Sequence, residues 1–171
     1  MQPELYRLAQ SDNVPNHPTY PALHYRGVFA CPGMPNKPDD VIAHFHANGW
    51  RGAWINGIYP FHHYHARAHE VLANLADAVT VQLGGPDGPA ASVEPGDVVV
   101  LPAGTGHCRL GDVGSLVIVG AYPAGQEDWD LKRNNPEDLR QAQVEIPRVG
   151  RPISDPVVGS DGPLLQLWRN D

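Results

Sequence analysis

The sharpest hydrophobic feature of the chain is Val98-Val99-Val100-Leu101, an unbroken and mostly β-branched run. Bounded by Gly96-Asp97 and Pro102-Ala103-Gly104, it reads as a strand buried on both faces. Comparable short runs recur at residues 23–29, 54–61, 71–75, 78–83, 107–110 and 115–122. Turn residues stand between them: Ala76-Asp77, then segments 84–88, 94–97 and 111–114. Strands of about four to eight residues at such spacing predict an all-β sandwich or barrel, with 23–29 as an edge strand. One clear helix interrupts the pattern. Pro38-Asp39-Asp40 places proline and acids at a helix start, Val41, Ile42 and Phe45 form its apolar stripe, and Asn48-Gly49 ends it. A second short helix is expected to open near Pro136. The tail Leu164-Leu165-Gln166-Leu167-Trp168 alternates, which suits a strand added to the sheet or to a second subunit.

At 171 residues the chain suits a single domain. Its barrel is expected at about 50–122, preceded by an arm and helix over 1–49 and followed by an extension over 123–171. Eighteen glycines and eighteen prolines without a fixed period exclude collagen and solenoids. A net charge of −7 with no Lys/Arg cluster argues against nucleic acid or an anionic membrane as partner. No apolar run approaches the ~18 residues of a membrane span, and the N-terminus has no signal-peptide pattern, so the expected location is the cytoplasm. Cys31 and Cys108 read as two free thiols of a reducing compartment.

Chemistry concentrates in two stretches. Four of the nine histidines fall between Gly57 and Glu70, and the segment Gly96 to Gly111 contributes His107. His63 and His65 are two apart, so on a strand their rings leave one face, with Cα atoms roughly 6.6 Å apart. Glu70 lies at an odd offset from His65 and joins them only if residues 66–69 bend. Three neutral imidazoles and a carboxylate suit one divalent transition metal: Fe, Mn, Ni, Co, Cu or Zn. By contrast His44 and His46, two apart on the helix, point about 200° apart and cannot share an ion.

These residues resemble the cupin superfamily signature, G-x5-H-x-H-x4-E-x6-G followed by G-x5-P-x-G-x2-H-x3-N. Gly57, His63, His65 and Glu70 match the first part; Gly96, Pro102, Gly104 and His107 match the second. Asp77 and Gly111 replace the final Gly and Asn, and both are turn formers. The stretches H-Y-H-x3-H-E-V-L, Q-L-G-G, P-A-G-x-G-H, V-G-A-Y-P-x-G-Q and D-W-D are similar to small YjlB-like bacterial cupins. The resemblance implies a double-stranded β-helix, the jelly-roll barrel, with one or two peripheral helices. It also implies a metal held by His63, His65, Glu70 and His107, and a homodimer. It fixes no reaction.

Around the ligands, Tyr59 and Phe61 share the parity of His63 and are expected beside the metal. Arg109 shares the parity of His107 and could clamp a substrate carboxylate or pair with a surface acid. His69 is a candidate partner to the ligands, or a turn histidine. His62 and Cys108 have the wrong parity for the cavity, and Gln82 is unplaced. The expected function is that of a metal-dependent enzyme on a small organic molecule, oxygenase-type by preference. The alternatives are a non-catalytic binding or sensor module and an isomerase or epimerase.

Overall fold

The computed structural model describes residues 1–112 and 114–169. In chain order its elements are β1 (Glu4–Tyr6), β2 (Ala22–Tyr25), α1 (Pro38–Ala47), β3 (Trp50–Asn56), β4 (His63–Tyr64), β5 (Glu70–Asn74) and β6 (Val79–Leu83). Then come β7 (Ala90–Val93), β8 (Val98–Leu101), β9 (His107–Leu110), β10 (Ile118–Pro123), β11 (Lys132–Arg133), α2 (Pro136–Glu145) and α3 (Leu164–Leu167). The strands form two antiparallel sheets, ordered β1-β2-β8-β5-β10-β3 and β11-β4-β9-β6-β7.

The pairings nest. β6 and β7 form a hairpin, and around it β5 pairs β8, β4 pairs β9, and β3 pairs β10. Successive nested pairs alternate between the sheets. The fold is thus one long hairpin rolled into a jelly roll, the double-stranded β-helix. β1 and β2 from the N-terminal arm extend one sheet, and β11 from the C-terminal extension extends the other.

Strand parity explains the unbroken apolar runs. Leu72, Val99, Leu101 and Ile118 face the barrel interior with Val81 and Leu83 of the opposite sheet. Their neighbours Val71, Val98, Val100 and Val119 face outward, yet are covered by Phe45 of α1, Trp50, Leu164 and Trp168. The six-stranded sheet is therefore buried on both faces, which selects β-branched residues without polar alternation. The cover is pinned by Asp155, whose carboxylate accepts from the Tyr25 hydroxyl and from the backbone N–H groups of Val157, Val158 and Leu164.

Several elements differ from expectation, the short β1 and β11 among them. The 23–29 stretch is not an edge strand: β2 lies between β1 and β8, and Val28–Ala30 is a 3-10 turn. The 54–61 strand runs instead from Trp50 to Asn56. The 164–168 tail pairs with no strand. Gly162-Pro163 starts a helical turn there, and Leu164 and Trp168, four apart, bury one helical face, the indole N–H of Trp168 donating to the Pro21 carbonyl. Finally, β7 carries only the weak pattern Ala-Ala-Ser-Val and was not expected. The turn read over 111–114 includes Val113, which lies outside the described residues.

Candidate metal centre

The jelly roll brings two chain segments together. His63 on β4 stands in register with His107 on β9, and His107 is itself opposite Leu83 of β6. Glu70 opens β5 and shares the parity of Leu72, so its carboxylate faces inward. Residues between β4 and β5 cross from one sheet to the other, which reverses the odd offset. That crossing is held by one backbone bond, Gly104 N–H to the His65 carbonyl at 2.7 Å, and by the Asp130 side chain, whose Oδ1 accepts from Ala66 and Arg67 N–H at 2.9 Å each. Gly104 sits at φ +87°, and a Cβ there would lie 2.4 Å from Ile146 Cδ1, so only glycine passes this close.

Donor atoms of His65, Glu70 and His107 all lie within 4.8 Å of one another, and all three residues are buried. His65 Nε2 is 3.4 Å from Glu70 Oε1, and His107 Nε2 is 3.4 Å from Glu70 Oε2. Each ring is fixed from behind. His107 Nδ1 faces the Thr105 carbonyl at 3.1 Å, His63 Nδ1 faces the Phe61 carbonyl at 3.0 Å, and His65 Nδ1 faces the Asp130 carbonyl. A carbonyl only accepts, so Nδ1 carries the proton in each ring and Nε2 presents a lone pair inward. Lone pairs of Nε2 and of carboxylate thus face each other, and Glu70 Oε2 has no hydrogen-bond donor. That arrangement could hold a cation between them. Two donors each ~2.1 Å from one ion stand about 3.0–3.4 Å apart at octahedral or tetrahedral angles, which the observed spacing matches.

Protonation agrees. Burial pushes His63 down to about 3 and also lowers His107. Burial alone would raise Glu70, but the adjacent imidazoles, His65 first, hold it at about 2. For His65 burial opposes the Glu70 carboxylate, and the carboxylate prevails, so its pKa is raised. At neutral pH His63 and His107 are neutral and Glu70 is ionised, the forms that ligate.

The donors lie at the inner end of a cavity of about 290 Å³ between the sheets. Trp54, Tyr59, Leu72, Tyr122 and Trp129 line its walls. The Tyr122 hydroxyl donates to Glu70 Oε1 at 3.2 Å and accepts from the Trp54 indole N–H at 2.9 Å. Trp129 stacks on Tyr122 and meets the His65 ring at 67°.

The chain is 34% identical over 165 residues to the Bacillus subtilis (strain 168) protein described as uncharacterized protein YjlB, covering 96% of each. It belongs to the YjlB family. Its barrel is the jelly roll that the motif resemblance implied, and it brings His65, Glu70 and His107 together. No protein-family model matches the chain. Among solved structures, DMSP lyase DddQ from Ruegeria pomeroyi DSS-3 is 22% identical, with 50% of this chain and 43% of that chain covered at a TM-score of 0.41. Acireductone dioxygenase from Bacillus anthracis, with a cadmium ion in its active centre, is 13% identical, with 62% and 79% covered at 0.40.

In this YjlB-family chain the other expected residues separate. His63 lines the cavity with its ring 4.0 Å from that of His107, but it is not in the set of three that converge within 4.8 Å. Tyr59 lines the mouth. Phe61 does not; it is stacked on Tyr59 and covered by the Arg133 guanidinium at 3.5 Å. Arg109 lies on the expected side of β9, opposite Val81, but its guanidinium donates to the carbonyls of Ile58 and Gly111 and does not line the cavity. His69 is neither a surface turn histidine nor bonded to a ligand. It is fully buried, accepts from Ala103 N–H at 2.9 Å and packs on Trp168. Gln82 holds the turn after β6 through the Pro86 and Gly88 carbonyls. His62 and Cys108 do not line the cavity.

Sequence reasoning missed Trp54, Tyr122, Trp129 and Asp130. The D-W-D stretch was visible, but only the fold shows its middle residue walling the cavity and its last residue anchoring His65. Tyr122 shares the parity of Ile118 and Gly120, a signal usable once β10 is known to face the interior.

Proposed function

We propose that the protein binds one divalent transition metal through His65, Glu70 and His107, with His63 as the fourth ligand, and uses it to transform a small organic molecule. The observation that carries this is the set of inward Nε2 lone pairs around a carboxylate whose Oε2 lacks a donor. For His63 the support is its Nδ1 bond to Phe61, which leaves Nε2 free, and its place on the cavity wall. A bound ion would supply Lewis acidity and, with iron, manganese or copper, access to oxygen chemistry.

The chain's own groups do the rest. Glu70 offsets part of the ion's charge, and Tyr122 holds one carboxylate oxygen so that the other faces inward. Burial raises the Tyr122 hydroxyl, so it stays protonated and serves as a donor, not a base. Leu72 and Tyr122, both buried, limit water beside the donors. No separate pair of acid and base lines the cavity, which favours chemistry centred on the metal, oxygenase-type above isomerase-type.

Elemental analysis of natively expressed protein should find about one divalent ion per chain, and His65→Ala should lose it. Unchanged metal content in that variant refutes the assignment. Resident iron or copper with oxygen uptake supports an oxygenase; stoichiometric zinc moves the reading to hydrolysis or isomerisation. Metal that raises the melting temperature but supports no turnover favours a binding module.

A further inference from the structure

The shape and charge of the cavity say which molecule it fits. Among its lining residues Glu70 is the one acid and there is no lysine or arginine. Two arginines near the site are engaged elsewhere: Arg109 on the carbonyls of Ile58 and Gly111, Arg133 on the face of Phe61. The walls are flat. Tyr122 and Trp129 are stacked at 21°, and His65 meets them edge-on at 86° and 67°. The volume, about 290 Å³, equals that of about ten liquid waters, enough for one six-membered ring with substituents.

We propose that the cavity takes a flat, single-ring aromatic molecule that turns neutral oxygen donors toward the histidines and carries no carboxylate or phosphate at its opposite end. The inference rests on the metal reading above, because the ion is what would receive the oxygens. Positive charge is then available only at the inner end. An anionic group held against Trp54 and Tyr122, below the exposed rim of Ile55, Tyr59 and Trp129, would lose part of its hydration and meet no counter-ion among the lining residues, which is unfavourable. A neutral ring instead gains aromatic contacts along the walls.

Calorimetric titration of the zinc-loaded full chain with catechol and with 3,4-dihydroxybenzoate tests this, zinc content being measured first. Catechol should bind at least about tenfold more tightly than the acid. Ile55→Arg changes a half-exposed residue at the cavity, so the fold tolerates it, and it should narrow the ratio by improving binding of the acid. Three outcomes overturn the proposal: equal or tighter binding of the acid to the unaltered protein, no catechol binding by zinc-loaded protein, or an Ile55→Arg variant with an unchanged ratio. A chain that takes up no zinc brings down the metal reading instead, so the two failures are distinguishable.

Discussion

Tyr122 gives its hydroxyl proton to Glu70 Oε1 across 3.2 Å, while its oxygen takes the indole N–H of Trp54 at 2.9 Å. The relay joins the cavity wall to the carboxylate at its inner end, on three different strands of one sheet. Replacing Tyr122 with Phe removes a donor from Glu70 and leaves the half-buried indole N–H of Trp54 unbonded. Folding stability should fall by about 1–3 kcal/mol. Metal affinity should fall by roughly 10–100-fold, as for loss of a group that orients a ligand. Urea melts and competition with a chromophoric chelator measure the two effects.

Gly120 is needed for that relay. A Cβ at this position would lie 2.1 Å from the Trp54 ring, so Gly120→Ala must displace the indole. The expected cost is about 1–3 kcal/mol, typical of overpacking. Trp54 fluorescence should shift as the Tyr122 bond breaks. An unchanged emission spectrum and melting curve would show that the barrel absorbs the methyl group elsewhere.

Asp130 anchors His65 by two routes: its carbonyl faces Nδ1, and Oδ1 receives the N–H groups of Ala66 and Arg67. Asp130→Ala keeps the carbonyl but frees the loop. We expect a loss of about 1–2 kcal/mol in stability, comparable to losing a helix cap, and metal binding weakened by roughly tenfold or more. Full affinity in this variant would show that the carbonyl alone positions the ring.

A pH dependence follows from His17, away from the ligands. Burial lowers it to about 4, and its Nδ1 accepts from Tyr20 N–H at 2.9 Å, a bond that protonation destroys. Its ring also stacks on Tyr20 at 4.1 Å and lies 6.2 Å from that of His69, which burial likewise lowers, to about 3. Between the ordinary value of 6.5 and about 4 the unfolded chain binds more protons at this position than the folded one. Stability therefore falls as pH drops through that window. His65, raised in the metal-free protein, acts in the opposite sense: its stabilisation is lost as pH rises past its folded value. Urea melts of metal-free protein from pH 7.5 to 4.5 should show the decline. His17→Asn, which keeps an acceptor without the titration, should make it shallower, with the buried His63, His69 and His107 supplying the remainder.

Legibility in the sequence followed the range of the interactions. Val98 to Leu101 could be read as a buried strand because its signal is local, and His63, His65, Glu70 and His107 stood out through spacing. Arg109 misled because parity gives the side of a strand but not the path of a long side chain, which here ends on two carbonyls. Trp168 misled because four residues of alternating pattern satisfy a strand and a helical turn equally; burial of Leu164 and Trp168 on one face decided it. Tyr122 and Trp129 were silent, since their role depends on pairing and stacking across distant segments.

The rolled hairpin has a consequence for biosynthesis. His65 and Glu70 lie on one arm and His107 on the other, beyond the β6–β7 tip. A ribosome-bound chain therefore holds His63, His65 and Glu70 but lacks His107 until its second arm has emerged and folded back. On the proposed metal reading, ion capture would be a late event, and the ion would act as a clasp that resists unrolling of the finished barrel.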